Sequence, residues 1–118
     1  MNKRSAITSH VLDVSLGKPA TNLSCRCEKW NAQTTPPQWE KVGEGVTNED
    51  GRVETLHSSE LVPGLYRIEF LTGSYFENRK ISTFYPSVTV SFEIVNAKEH
   101  YHVPLLLSPY GYSTYRGG

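Results

Sequence analysis

Imidazole, guanidinium and phenol groups stand at a few places in this sequence where chemistry could be carried out. A histidine titrates near neutral pH, at about 6.5, so it can take a proton from water. A guanidinium is permanently charged and can stabilise developing negative charge, while a phenol can hydrogen-bond a substrate. The residues concerned are His10, Arg52, His100, His102, Tyr115 and Arg116.

Each of these residues also has an ordinary structural explanation when it is taken alone. His10 lies within an apolar stretch and could be a hydrogen-bonded strand residue, and Arg52 follows Asp50-Gly51 and could be a solvated turn residue. Residues 115 and 116 would by default be part of a frayed chain end. No Ser-His-Asp or Cys-His signature, glycine-rich phosphate loop or CxxC pair is present.

His100 and His102 raise the alternative of a metal site. Two histidines two residues apart on a strand project from the same face and can bind zinc when a third ligand is near. That ligand would have to be His10, so the sequence favours catalysis without a metal or other cofactor.

The elements that must position these groups are predicted to be strands. Alternation from residue 100 onward places His100 and His102 on the face opposite Tyr101 and Val103. Ser108–Gly111 predicts a turn, after which the chain returns. Further strands are predicted at Ile7–Val14, Leu23–Trp30, Trp39–Val46, Tyr66–Phe70, Ser87–Val95 and Tyr112–Tyr115, with a short strand that begins at Arg52 and one helix at Gly73–Lys80.

This pattern indicates an all-β fold. Seven to eight strands at close spacing with one short helix predict an antiparallel β-sandwich. Residues 1–5 are expected to form a flexible N-terminal tail and residues 6–118 a single domain. Cys25 and Cys27 would project from one face of a strand as unpaired, buried thiols.

Charge and hydropathy exclude several classes of protein. Twelve basic and twelve acidic residues cancel, which argues against nucleic acid or an acidic membrane surface as a partner. No apolar stretch approaches the roughly 20 residues of a spanning helix. The first residues lack the apolar region of a secretory signal, so we expect an intracellular protein, in the cytosol or the peroxisome.

Several segments together resemble the transthyretin-related family. They are Ser9–Asp13, Gly17–Ala20, Thr47–Arg52, Phe84–Pro86, Tyr101–Pro109 and Tyr112–Gly117. In this family a terminal Tyr-Arg-Gly-Ser motif separates hydrolases of urate breakdown from the hormone carrier. Here the motif is Tyr115-Arg116-Gly117-Gly118, so the last residue lacks the hydroxyl.

The resemblance implies a transthyretin-like fold and a hydrolytic function. The expected reaction opens 5-hydroxyisourate to 2-oxo-4-hydroxy-4-carboxy-5-ureidoimidazoline by attack of water on a ring carbonyl. His10, Arg52 and His102 would be catalytic, with His10 and Arg52 also binding substrate together with Tyr115 and Arg116.

The resemblance does not decide which histidine is the base. His100 would support a catalytic group without touching the substrate. The family also implies a homotetramer with sites where dimers meet. The alternative function is a non-catalytic carrier of a small aromatic ligand, of the transthyretin type.

Overall fold

Two β-sheets pack face to face in the computed structural model, which describes residues 6–57 and 60–118. The tail predicted at residues 1–5 lies outside the described residues. The elements in chain order are β1 (Ile7–Asp13), β2 (Lys18–Pro19), β3 (Ser24–Asn31), β4 (Gln38–Val46), β5 (Arg52–Val53), β6 (Gly64–Phe70), α1 (Thr72–Asn78), β7 (Val88–Ile94), β8 (Tyr101–Ser108) and β9 (Gly111–Thr114).

One sheet has the order β2-β1-β8-β9, with β5 also paired to β1, and the other has the order β4-β3-β6-β7. The β-sandwich prediction is therefore confirmed: within the described ranges seven strands have four or more residues, and the helix is short. One pairing in the described residues differs from the antiparallel expectation, because β8 runs parallel to β1 over the whole length of β1. Strand alternation carries no information on the direction of a partner so distant in sequence.

The core lies between the sheets and is built by period-2 alternation. In β8 the apolar residues at 101, 103, 105 and 107 are buried, while His100 and His102 are half-buried on the other face, as predicted. The largest fully buried side chains are Tyr66, Phe70, Phe76, Ile7, Leu23, Leu56, Ile68, Ile94, Leu105, Leu107, Val11 and Val88.

Cys25 and Cys27 belong to this core. Both thiols are buried and unpaired, as predicted, and burial raises the pKa of each to about 12. A thiol with so high a pKa carries almost no thiolate at neutral pH, so these cysteines serve packing rather than chemistry.

The helix α1 begins one residue before the predicted position and ends two residues earlier than predicted. No side chain caps its N-terminus. Instead, the N–H of Gly73 donates to the carbonyl of Pro86 at 3.0 Å. No helix among the described residues is long and apolar enough to cross a bilayer.

A buried carboxylate ties α1 to the opposite sheet. Asp13, at the end of β1, is fully buried. Its Oδ2 accepts hydrogen bonds from the Tyr75 hydroxyl at 2.7 Å and from Arg79 Nη1 at 2.8 Å, and its Oδ1 accepts from the Ser15 hydroxyl. Burial on its own would raise the pKa of Asp13, but these hydrogen bonds and the charge of Arg79 outweigh it and hold the pKa below its usual value.

We expect Asp13→Asn to lower the free energy of unfolding at neutral pH by about 1–3 kcal/mol, because Arg79 loses its anionic partner. A depressed folded-state pKa contributes stability above the unfolded value, roughly 3.9, that is lost as pH falls through the folded value. The variant should therefore lose less stability between about pH 4 and pH 2 than the wild type does. Urea unfolding at several pH values measures both effects.

Glu44→Gln is the matched control. The pKa of Glu44 is also lowered, by its bond to Lys41, but this carboxylate is exposed and its pair should contribute little to stability. Equal losses in the two variants, or an unchanged acid dependence in Asp13→Asn, would contradict the assignment.

Candidate active site

Three strands of the five-stranded sheet bring the candidate residues together on its outer face. Thr8 of β1 lies opposite His102 of the parallel strand β8. His10, two residues further along β1, lies opposite Arg52 of β5 on its other side. Since directly paired strand residues project to the same face, all four share the face turned away from the core.

The turn before β5 is built to present Arg52. Asn48 Oδ1 accepts hydrogen bonds from the backbone N–H groups of Asp50 and Arg52 at 2.9 and 3.0 Å. Gly51 has a φ of +74°, and a Cβ there would lie 2.4 Å from the carbonyl oxygen of Val11. The same close approach lets the carbonyl of Gly51 accept from the N–H of Val11 at 2.8 Å, which fixes the turn against β1.

Thr8 connects His102 of β8 with His100, which directly precedes that strand. Its hydroxyl lies 2.8 Å from Nδ1 of His102 and 3.0 Å from Nε2 of His100. The imidazole rings are stacked, with centroids 6.5 Å apart. Thr8 is 3% exposed although it is on the outer face of the sheet. Thr8 cannot be recognised from the sequence, because a threonine in a strand carries no distinguishing signal.

The C-terminal tail packs against His102. The N–H of Gly117 donates to the carbonyl of His102 at 2.9 Å. A Cβ at Gly117 would lie 2.5 Å from Cδ2 of the His102 ring, so only glycine fits so close. The Arg116 guanidinium lies 3.1 Å from the Glu99 carboxylate and 4.4 Å from the ring centroid of Tyr101.

Two cavities meet at His102. One, of about 110 Å³, also contains Arg52, Thr8 and Gly118 in its lining, with Ser9 and Glu54. The other, of about 250 Å³, is lined by His102 with Tyr115 and Arg116 and by residues of β7. The structure thus places Arg52 and His102 in the lining of one cavity, and Tyr115 and Arg116 with His102 in the lining of the other.

His10 lines neither of these two cavities, although it is paired with Arg52. The side chains of both residues make no hydrogen bond or ion pair to another residue in 6–57 and 60–118. Both are therefore available to a ligand. In the same ranges no three His, Cys, Asp or Glu side chains are grouped as the ligands of a metal ion would be.

This fold and this arrangement of histidines and arginine define the class of protein. The chain belongs to the HIUase/Transthyretin family, whose sequence model matches residues 7–117. The family resemblance inferred from the sequence motifs is thereby confirmed.

The names of individual relatives are more specific than the family description. A protein of Salmonella typhimurium named 5-hydroxyisourate hydrolase is 46% identical over 94% of this chain and 79% of its own length. The solved structure of Klebsiella pneumoniae 5-hydroxyisourate hydrolase is 29% identical, with a TM-score of 0.80 over 95% of this chain and 92% of that one. Sea bream transthyretin in complex with thyroxine is 28% identical, with a TM-score of 0.83 over 95% and 94% of the two chains.

Gly117→Ala should displace the tail from β8, because its Cβ cannot fit against the His102 ring. We expect the Gly117 backbone amide to lose protection from hydrogen exchange and the His102 imidazole resonances to shift, with little change in melting temperature. Amide exchange and imidazole spectra recorded by NMR measure the first two, and a thermal melt of the same sample measures the third.

Gly118→Ala is the matched control, since a Cβ at that position would meet no atom within 4 Å. If Gly117→Ala matched Gly118→Ala in amide protection and in the His102 spectrum, the tail would not depend on this close contact.

Proposed function

We propose that this chain hydrolyses 5-hydroxyisourate to 2-oxo-4-hydroxy-4-carboxy-5-ureidoimidazoline in urate degradation. The observation that carries the proposal is the cavity that Arg52 and His102 line together, closed at one end by the C-terminal tail. Relatives that are named 5-hydroxyisourate hydrolase support it over nearly the full chain. Both groups are of the types that hydrolysis of a cyclic amide needs.

The reaction adds water to a ring carbonyl and then breaks the adjacent C–N bond. In the first step a histidine removes a proton from water as the oxygen attacks, and the carbonyl becomes an oxyanion. The Arg52 guanidinium is suited to stabilise this oxyanion. In the second step the C–N bond breaks, and the protonated histidine returns the proton to the leaving nitrogen, so that no proton is left over.

His102 fits the base better than His10 does. A hydrogen bond at Nδ1 to Thr8 fixes the orientation of the His102 ring and assigns proton transfer to Nε2. His10 has no such orienting bond from a described residue, which suits it to binding substrate beside Arg52. A His102→Asn variant that kept the wild-type loss of rate below about pH 6–7, where histidines ordinarily protonate, would move the base role to His10.

The tail residues divide their roles. Tyr115 lines the second cavity beside His102 and is 57% exposed, so its hydroxyl could bind the substrate's edge. Arg116 also lines that cavity, but its guanidinium is engaged by Glu99 and stacks on Tyr101. We therefore infer that Arg116 contributes to substrate binding mainly by holding the tail against β8.

A carrier function is the second candidate, supported by the thyroxine-bound relative. Two features argue against it here. A carrier needs no imidazole held at Nδ1, nor a guanidinium in the same cavity. The Salmonella relative, 46% identical over 94% of this chain, is also named a hydrolase, whereas the Klebsiella hydrolase and transthyretin structures, at 29% and 28% identity, do not separate the two functions.

The test is the rate at which purified protein removes 5-hydroxyisourate that is generated in place from urate. Arg52→Lys should lose about 10- to 100-fold in rate and fold normally, because a point charge cannot replace the planar guanidinium. Arg26→Lys is the matched control, since Arg26 is an exposed arginine paired with Glu69 on the other sheet. Unchanged turnover in Arg52→Lys would show that the planar shape of the guanidinium is not needed for the reaction. An inactive wild type would refute the proposed function.

We further propose that the site is completed by a second copy of the chain in a homotetramer. The cavity at Arg52 and His102, about 110 Å³, is well below the roughly 300 Å³ at which ligand sites begin. Leu12 and Leu106 lie opposite each other on the outer face and are only half-buried. A second sheet packed on this face would enlarge the cavity, bury the leucines and exclude water.

Leu106→Glu should weaken that contact by placing a charge in it, giving a smaller assembly and a large loss of activity. Light scattering against the 13.3 kDa chain mass gives the number of subunits. Val46→Glu, at an exposed valine of the four-stranded sheet, is the control. A wild-type monomer with full activity would refute the tetramer.

A further inference from the structure

We propose that Thr8 is a positioning residue that joins His102 to His100, so that the proton taken up by His102 during the reaction is passed to His100. The proposal rests on the hydrolase function proposed above and extends it to two residues outside the reacting groups. It is carried by one hydroxyl placed within hydrogen-bond distance of both imidazoles.

The number of protons available constrains the three groups. A threonine hydroxyl has one proton to donate, and it faces Nδ1 of His102 at 2.8 Å and Nε2 of His100 at 3.0 Å. If it donates to one nitrogen, the other must carry a proton and donate back for both bonds to exist. The two histidines therefore hold opposite states at these nitrogens, and Thr8 links the state of one ring to that of the other.

Before reaction, the arrangement that suits a base has Nδ1–H of His102 donating to Thr8 and Thr8 donating to Nε2 of His100. Nε2 of His102 then carries a lone pair and accepts the proton of the attacking water. The Nδ1 proton of His102 moves to the Thr8 oxygen as the Thr8 proton moves to Nε2 of His100. Only protons move, both hydrogen bonds reverse, and the positive charge finishes on His100.

The transfer has an electrostatic reason. His102 lines the same cavity as Arg52, whereas His100 does not line that cavity. A protonated His102 would put a second positive charge beside the guanidinium, which is unfavourable for like charges. Moving the charge one ring away relieves this repulsion and keeps an N–H at Nε2 of His102. The reverse transfer recharges His102 when the leaving nitrogen needs a proton.

Other charged groups lie around the pair and must be considered with it. His10 is on β1, Arg52 and Glu54 line the small cavity from the β5 side, and Glu93 of β7 lines the larger one. At the His100 end, Arg116 Nη2 lies 3.4 Å from the His100 carbonyl and is neutralised by Glu99. The glutamates on both sides can offset a positive charge at either ring.

The burial of Thr8 supports a link that is shielded from water. Thr8 is 3% exposed, because the two histidines lie over it on the outer face of the sheet. Water competes weakly for a hydroxyl so placed, so its bonds to the imidazoles persist. An exposed threonine between two histidines would exchange partners with solvent and couple nothing.

The experiment compares Thr8→Val, which removes the hydroxyl at nearly constant shape, with Thr8→Ser, which keeps it. His100→Gln retains a hydrogen-bonding group near the position of Nε2 but cannot take up a proton. Thr83→Val is the control for loss of a threonine hydroxyl, because Thr83 donates to the carbonyl of Pro109 away from the histidines. Each variant is measured for kcat and KM against pH and for melting temperature, and its imidazoles are recorded by ¹⁵N NMR.

We expect Thr8→Val to lower kcat by about 10- to 100-fold with little change in KM, and to shift the acid side of the pH profile. Its ¹⁵N spectrum should show a changed tautomer mixture at His102. Thr8→Ser should stay within a few fold of the wild type. His100→Gln should keep the His102 tautomer but lose rate, and the double variant should lose less than the product of the single losses.

An unchanged tautomer and pH profile in Thr8→Val would overturn the proposal, as would a His100→Gln variant with wild-type rates at every pH. If Thr8→Val does not fold, His100→Gln and Thr8→Ser still decide. The NMR result needs no turnover. A tautomer change in Thr8→Val, in a protein that does not act on 5-hydroxyisourate, would therefore support the link between the histidines while refuting the proposed function.

Discussion

The parallel pairing of β1 with β8 is the interaction on which the site depends. It runs from Ile7 opposite Tyr101 to Asp13 opposite Leu107 without a break in register. Because side chains alternate along both strands, this single register fixes which residues face the core and which face outward. A shift by one residue would turn His102 toward the core and separate it from Thr8.

β1 carries two different polar systems on its two faces. On the outer face Thr8 and His10 meet β8 and β5, and on the inner face Asp13 binds Tyr75 and Arg79 of the helical segment. The inner system attaches the helix to the sheet that bears the site, whereas the outer system is left open to a ligand. Stability and chemistry therefore depend on one strand but on separate side chains.

Local patterns predicted much of this structure. Alternation located the long strands and placed His100 and His102 on one face, and the Asp-Gly turn predicted that Arg52 would begin a strand. The direction of β1 against β8 could not be predicted, since pairing over such a separation depends on the whole packing. The motif comparison indicated His10, Arg52 and His102 but not Thr8, whose importance lies in a distance between strands.

The partners of Asp13 and Arg116 could not be predicted from the sequence either. Asp13 was part of a recognised motif, and an acid at the end of an apolar strand could have signalled a buried carboxylate, but its partners in the helix are not readable from sequence. Arg116 is predicted to bind substrate, and its guanidinium also contacts Glu99 and Tyr101, two partners that the motif does not indicate. In both cases the partner of a charged group is decided by tertiary contacts, which a linear pattern does not contain.

The separation along the chain of the residues that meet at His102 has a consequence for folding. Thr8 and His102 are 94 positions apart, and the tail that closes on His102 comes later still. Contacts of such high sequence separation carry a large loop-closure cost and are characteristic of slow-folding topologies. The hairpin of β3 and β4 in the other sheet, by contrast, joins neighbouring segments, so closing it costs less entropy. We therefore expect the histidines to come together late in folding, after local hairpins such as β3–β4 have formed.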